Sequence, residues 1–211
     1  MLKGVTEELR SYIEAISPAD TTLELAYETA EEFGLSAPDI HTGQLLSTLA
    51  ATSKAQGAIA ITPASAVVGY FLLQGMNSQG TLTCIDPEPE YHRRSAEIFR
   101  NASFSPTRVR FLPSRPLDVM GRLAKKSYQI IYGEVSPIDA RALISASLPL
   151  LSAGGSVIIP DILLDGTPSD QTRRDRETVA ARDLQDYLNS LESVQVTRLP
   201  LGAGLVIVTV Q

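Results

Sequence analysis

The sequence predicts a doubly wound α/β fold: a mostly parallel seven-stranded sheet with a terminal antiparallel strand, preceded by a helical N-terminal extension. Three observations predict it. Everything before Gly57 has helical periodicity. From Gly57 onward, short and nearly continuous apolar strands alternate with helices, the mark of parallel strands covered on both faces. At the end, two strands follow each other with no helix between them, so they must pair antiparallel.

In chain order, residues 5–17 carry Leu9, Tyr12, Ile13 and Ile16 at helical spacing. Asp20 or Thr21 can cap a second helix with Leu25, Ala26, Ala30 and Phe33 on its apolar face and Gly34 as its stop. A third helix begins near Thr42 and carries Leu45, Leu46 and Leu49. Strands are expected at 58–62, 81–85, 108–112, 128–132 and 156–160, with helices at 66–76, 89–101, 116–125 and 138–151. Right-handed crossovers then dictate the doubly wound topology. A long helix over 169–191 puts Ala180, Leu184, Tyr187, Leu188 and Leu191 on one side, and strands at 194–199 and 205–210 close the chain. No internal repeat or interdomain linker interrupts this order. The expectation is one domain over 1–211, made of a helical extension (1–56) and an α/β core (57–211).

Composition narrows the function classes. A chain of 211 residues suits one domain and can bury a full core. Apolar residues make up 44% and charged residues 20%, which excludes a disordered or collagen-like chain. The formal net charge of -6 offers no broad basic footprint for a phosphate backbone, so nucleic acid is not an expected partner. Cys84 is the only cysteine, which excludes an internal disulfide framework or a Cys-rich zinc site and fits a reducing, cytoplasmic setting. His41 and His92 are the only histidines, too few for most His-based metal sites. The N-terminus is charged and lacks the apolar core of a signal peptide. No charge occurs from 55 to 85, but Pro63 splits that stretch and Gln74 and Asn77 close it. It reads as a buried strand, a turn and a buried helix, with no membrane span.

Several strings narrow the layout further. His41-Thr-Gly-Gln-Leu-Leu46 precedes the first strand, and Leu82-Thr-Cys-Ile-Asp-Pro-Glu88 spans the second. Leu117-Asp-Val-Met-Gly-Arg-Leu123, Leu150-Leu-Ser-Ala-Gly-Gly-Ser-Val-Ile-Ile-Pro-Asp161 and Leu199-Pro-Leu-Gly-Ala-Gly-Leu205 follow. In this order, residues 20–211 resemble the small cation-dependent O-methyltransferases of the catechol and caffeoyl-CoA type, especially their bacterial members. The resemblance implies the Rossmann-like methyltransferase fold, S-adenosylmethionine as cofactor and a divalent cation such as Mg²⁺.

It also implies site residues. Asp86 stands where the family has an acidic residue that accepts the ribose hydroxyls; with Pro87 after it, it also reads as a helix N-cap. In the first loop the family has an acid followed by glycines. This chain has Ala60 in place of the acid that holds the cofactor's amino group, and Thr62 and Ala66 in place of glycines. Pro63 lacks an N–H, and Ala64 and Val68 complete the segment; each added Cβ limits close approach. At the adenine position Ser114-Arg115-Pro116 replaces Gly-Asp-Ala, so Arg115 either stacks on the ring or turns to solvent. Glu134 takes the position of the metal-binding carboxylate after the fourth strand, beside the cofactor. Asp161 takes that of the Asp after the fifth, and Ile162 replaces the Asn that follows it. Pro137 lies where many members have a lysine. Mg²⁺ binding is therefore expected to be weak or absent, and both carboxylates also read as helix caps. No catalytic base is assigned.

The function implied is methyl transfer from S-adenosylmethionine to a hydroxyl of a small-molecule acceptor. The altered motifs keep a second reading open, a catalytically degenerate member acting as a binding or scaffold module. A nicotinamide-dependent oxidoreductase is disfavoured by the lack of G-x-G-x-x-G and by the terminal hairpin. Arg173, Arg174, Arg176 and Arg182 read as a solvated helix face with pairs such as Arg173–Glu177, or as guides for an anionic acceptor. Cys84 reads as inert core, His92 as helix surface, and His41 as an edge of the cofactor mouth. The apolar faces of the N-terminal helices predict a homodimer.

Overall fold

The structure, a computed structural model, describes residues 7–102 and 104–211. Three helices come first: α1 (Glu7–Ile16), α2 (Thr21–Glu32) and α3 (Ile40–Thr52). Positions 5 and 6 of the expected first helix lie outside the described residues. The Asp20 carboxylate accepts the N–H groups of Thr22 and Leu23 at 3.0 and 2.9 Å and starts α2. Gly34, at φ +64, ends it in the left-handed conformation that favours glycine. Leu23 rather than Leu25 turns inward; Leu25 is exposed, because the buried face of α2 runs through Leu23, Ala26, Thr29 and Ala30. Asp39 caps α3 by accepting the Thr42 N–H at 2.8 Å, so α3 starts two residues before Thr42.

The core alternates β1 (Gly57–Ile61), α4 (Ser65–Gly75), β2 (Thr81–Asp86), α5 (Pro89–Asn101), β3 (Val109–Pro113), α6 (Pro116–Met120), β4 (Tyr128–Gly133), α7 (Pro137–Ser147) and β5 (Leu151–Ile159). Then come α8 (Arg176–Ser190), β6 (Val194–Leu199) and β7 (Leu205–Val210). The seven strands lie in the order β3-β2-β1-β4-β5-β7-β6. β1 to β5 are parallel; β7 is antiparallel to both β5 and β6. The strand order reverses between β1 and β4, and a crevice at the carboxyl ends of such a pair is the natural ligand site of open α/β sheets. The uncharged stretch is β1, a turn at Pro63 and α4, which is buried nearly all round from Ser65 to Leu73. Among the described residues no helix is long and apolar enough to cross a membrane.

Several boundaries differ from the sequence reading. β5 starts at Leu151, not 156. Tyr128 pairs with Leu151 and Ile130 with Ser156, so Ser152 to Gly155 form an irregularity inside the strand that reads locally as a turn. α7 accordingly ends at Ser147, and α6 stops at Met120, short of 125. α8 begins at Arg176, because Asp165 and Gly166 adopt positive φ, Pro168 follows, and Asp175 supplies the cap. Arg173 and Arg174 therefore precede the helix, and the expected Arg173–Glu177 pair gives way to Arg173–Asp175 at 3.2 Å. Ala181, not Ala180, is fully buried on α8. His92 is not on the surface: it is 6% exposed and packs against the Phe111 ring at 5.1 Å. Burial lowers its pKa, opposed by the Asp86 charge, and keeps the ring neutral. Cys84 is fully buried and its thiol is pushed up to about 12, which makes it inert as expected.

α3 and α4 cross closely because two glycines lie in their contact. A Cβ on Gly75 would fall on the Ser47 carbonyl oxygen, and one on Gly43 would enter the Phe71 ring. Backbone at the first position cannot give way. Gly75→Ala is expected to cost about 1–3 kcal/mol of stability. Gly121→Ala, which meets open space, should stay within about 0.5 kcal/mol of the parent. Urea unfolding midpoints of the two variants check the contrast.

Candidate active site

The ends of β1, β2, β4 and β5 bring Thr62, Asp86, Glu134 and Asp161 to one edge of the sheet. Thr62, 2% exposed, donates its hydroxyl hydrogen to Glu134 Oε2 at 2.6 Å and accepts the Ala64 N–H at 3.1 Å. The Glu134 N–H extends the β1–β4 ladder by donating to the Ile61 carbonyl at 2.8 Å. Burial raises the Glu134 carboxyl above the usual carboxylate range; the Thr62 hydrogen bond opposes this, and the Asp161 and Asp86 charges add to it. Glu134 is thus the carboxylate that both neighbouring strand ends act on.

Asp86 is not the cap of α5. Glu88 accepts the Glu90 N–H, and Pro89 rather than Pro87 fills the first turn. Asp86 Oδ1 instead accepts the Glu88 N–H at 2.8 Å, which tightens the exposed turn at Pro87. Asp161 is not a helix cap either. It sits at φ +56, and its Oδ1 accepts the Ala203 N–H at 2.6 Å. Asp165 N–H donates to the Ala203 carbonyl at 2.9 Å and Leu163 N–H to the Gly204 carbonyl at 3.2 Å. The segment after β5 is thereby clamped to the β6–β7 loop.

The other expected site residues separate into two groups. Ala60 and Val68 are wholly buried, and Ala64 and Ala66 nearly so. Pro63, Ala64 and Ala66 face a small crevice between α2, α4 and α5 with Phe33 and Tyr91. Arg115 is exposed and lines an open cavity of about 460 Å³ with Leu117, Asp118, Val135 and Asp139. His41 lines an apolar cavity of about 340 Å³ with Leu9, Arg10, Ile13 and Leu201, and its Nε2 faces Glu14 Oε1 at 3.5 Å. Asp39, Thr42, Asp161 and Leu201 line a crevice of about 150 Å³ beside it. Sequence reasoning missed two members of this mouth. Asp39 was legible as a polar residue just ahead of a helix. Tyr132 was hidden in an apolar run.

No family model matches the chain. A Mycobacterium avium (strain 104) protein, by name an O-methyltransferase, is 33% identical over 94% of this chain and 90% of its own length. A Mycobacterium leprae (strain TN) protein of like name is 33% identical over 94% and 89%. The chain belongs to this O-methyltransferase family. The crystal structure of a Corynebacterium glutamicum protein superposes with a TM-score of 0.93 at 56% identity, covering 96% of this chain and 95% of that one. Two more distant structures show the fold. One is an O-methyltransferase from Streptomyces achromogenes involved in tomaymycin synthesis, in complex with S-adenosylmethionine (TM-score 0.86, 20% identity, 98% and 100% covered). The other is an O-methyltransferase from Bacillus cereus in complex with S-adenosylhomocysteine (TM-score 0.85, 19%, 97% and 97%).

The divalent cation expected from the resemblance does not fit these residues. Asp161 has one oxygen committed to Ala203, and Glu134 has one committed to Thr62. Ile162 is 1% exposed inside the core with Ile159 and Leu184, so position 162 cannot face the mouth without leaving that core. Among the described residues no three His, Cys, Asp or Glu side chains gather to hold a metal ion. An amide introduced at 162 would be buried. Ile162→Asn is therefore expected to cost on the order of 3 kcal/mol of stability and to add no Mg²⁺ affinity. Thermal melting and calorimetric titration with Mg²⁺ check both parts.

Proposed function

We propose that the protein transfers a methyl group from S-adenosylmethionine to a hydroxyl of a small-molecule acceptor, without a bound metal. The observation that carries this reading is the pair of carboxylates, Asp86 and Glu134, on strands that flank β1 at the reversal of strand order. The family supports it, as do the cofactor complexes of the two distant structures. When bound, the cofactor supplies an electrophilic methyl group. Asp86, with one oxygen holding its own turn, keeps the other for the ribose hydroxyls. The cavity beside Arg115, walled by Leu117 and Val135, suits a flat adenine ring. Glu134, oriented by Thr62 and with its carboxyl raised by burial, is the group suited to take the acceptor's proton. The apolar cavity beside His41 suits the acceptor's hydrocarbon body, since Leu201 borders both it and the acidic crevice. The non-catalytic binding reading has no comparable support, because its main premise was a decayed site and a coherent set of carboxylates remains.

The same reading holds the chain as one domain acting in the cytoplasm as a homodimer. The lone buried cysteine supports a reducing compartment. α1 contributes no buried residue, and Tyr12 and Ile16 are 63% and 60% exposed on it. An apolar helix face of this kind suits a symmetric partner. Light scattering at tens of micromolar should give about twice the 22.7 kDa chain mass. A monomer at that concentration refutes the dimer.

The decisive experiment for the cofactor is calorimetric titration with S-adenosylhomocysteine. Wild-type protein is expected to bind it whether Mg²⁺ or a chelator is present. Asp86→Ala should weaken binding by about tenfold to a hundredfold, the worth of hydrogen bonds to a charged group, and leave the melting temperature nearly unchanged. No wild-type binding at millimolar ligand refutes the reading.

A further inference from the structure

The acidic mouth lacks a cation. Asp39, Asp86, Glu134 and Asp161 enter no ion pair among the described residues. Each spends one oxygen on the protein: Asp39 on the Thr42 N–H, Asp86 on the Glu88 N–H, Glu134 on the Thr62 hydroxyl and Asp161 on the Ala203 N–H. Each keeps the other oxygen and its charge. Clustered carboxylates with no counter-charge repel one another and favour a positively charged ligand.

A second observation lies below them. Tyr132 is 1% exposed, yet its hydroxyl makes no hydrogen bond with any described residue. A buried hydroxyl without a partner is costly and calls for an explanation. Its ring belongs to the core on the face of the sheet covered by α3 and α4. Tyr132 pairs in register with Ala60 on β1 and Ile158 on β5. Thr62 and Glu134 lie two residues further along the same strands and are bonded to each other, so they share that face. The charges of Glu134, Asp161 and Asp39 all reach the hydroxyl and, after burial, help to hold it neutral. It is therefore aimed toward the strand ends, among three of the four carboxylates. Asp39 and Asp161 line the crevice there.

We propose that the Tyr132 hydroxyl, with Asp39, Glu134 and Asp161 around it, binds the ammonium group of the methyl donor's amino-acid half. This rests on the reading that the donor is S-adenosylmethionine. Ala60, its register partner on β1, has only a methyl group and cannot accept an ammonium N–H. The neutral hydroxyl one strand away can, through its lone pairs, and the carboxylates supply the long-range attraction. The polar contact expected from β1 is thus made from β4.

The test separates the amino-acid half of the ligand from the nucleoside half. Binding of S-adenosylhomocysteine, which has the ammonium, and of 5′-methylthioadenosine, which lacks it, is measured for the wild type and for Tyr132→Phe. The expected result is about a tenfold loss for S-adenosylhomocysteine, equivalent to one hydrogen bond to a charged group, and no change for methylthioadenosine. Asp39→Asn keeps an N-cap for α3 and removes one charge. It should weaken S-adenosylhomocysteine several-fold, again without touching methylthioadenosine, and it serves as the independent variant if Tyr132→Phe melts early. Equal affinity of the wild type and both variants for S-adenosylhomocysteine overturns the assignment, as does a parallel loss for both ligands. A wild type that binds methylthioadenosine and S-adenosylhomocysteine equally also overturns it, but leaves the donor reading standing. A wild type that binds neither ligand removes the donor reading itself.

Discussion

The hydrogen bond from Thr62 to Glu134 joins the two strands between which the sheet reverses its order. At 2.6 Å it ties the first loop to the end of β4. The same Thr62 oxygen accepts the Ala64 N–H, which sets the turn into α4. Because β1 is buried over its whole length and α4 is buried nearly all round, this turn has no freedom to open. A glycine here would leave Glu134 with neither a donor nor a fixed direction. The threonine that departs from the family pattern therefore supplies a different function: it orients the carboxylate on which the proposed chemistry depends.

The second constraint is the fate of Asp161. In a metal-binding arrangement its carboxylate would face an ion together with the next side chain. Here one oxygen closes the β6–β7 loop against the segment that follows β5, and Ile162 helps fill the core behind it. Both residues serve the hairpin before they can serve a ligand. What remains at the mouth is charge: four carboxylates, each with one oxygen uncommitted and none neutralised by lysine or arginine among the described residues. Such an edge favours a cationic cofactor and disfavours a free anionic acceptor. The basic residues before and within α8 do not offset it, since Arg182 donates to the Asp170 and Arg173 carbonyls and Arg173 pairs with Asp175.

Much of this was legible beforehand, for local reasons. Asp20, Gly34, Pro89 and the 205–210 strand carry their signals in a few adjacent residues, and each lies where periodicity and capping put it. The errors arose where local signals compete. Ser152 to Gly155 read as a turn but continue a strand, because β4 supplies hydrogen bonds to an irregular stretch. Arg173 to Asp175 read as helix but precede it, because Asp165 and Gly166 reverse the backbone upstream. His92 reads as surface in a helix rich in Glu and Arg, yet Phe111 from another strand covers it.

By itself, the sequence determined the alternation of strands and helices, the antiparallel finish and the presence of acids at the strand ends, because period, caps and breakers act over a few residues. The tertiary structure alone decided what those acids do. Glu134 meets Thr62 across 72 residues and Asp161 meets Ala203 across 42. Tyr132 becomes a buried hydroxyl beside Ala60 only through the β1–β4 register. Partners so far apart in the chain are chosen by the packing of the whole sheet, and that choice separates a carboxylate free for a ligand from one spent on the fold.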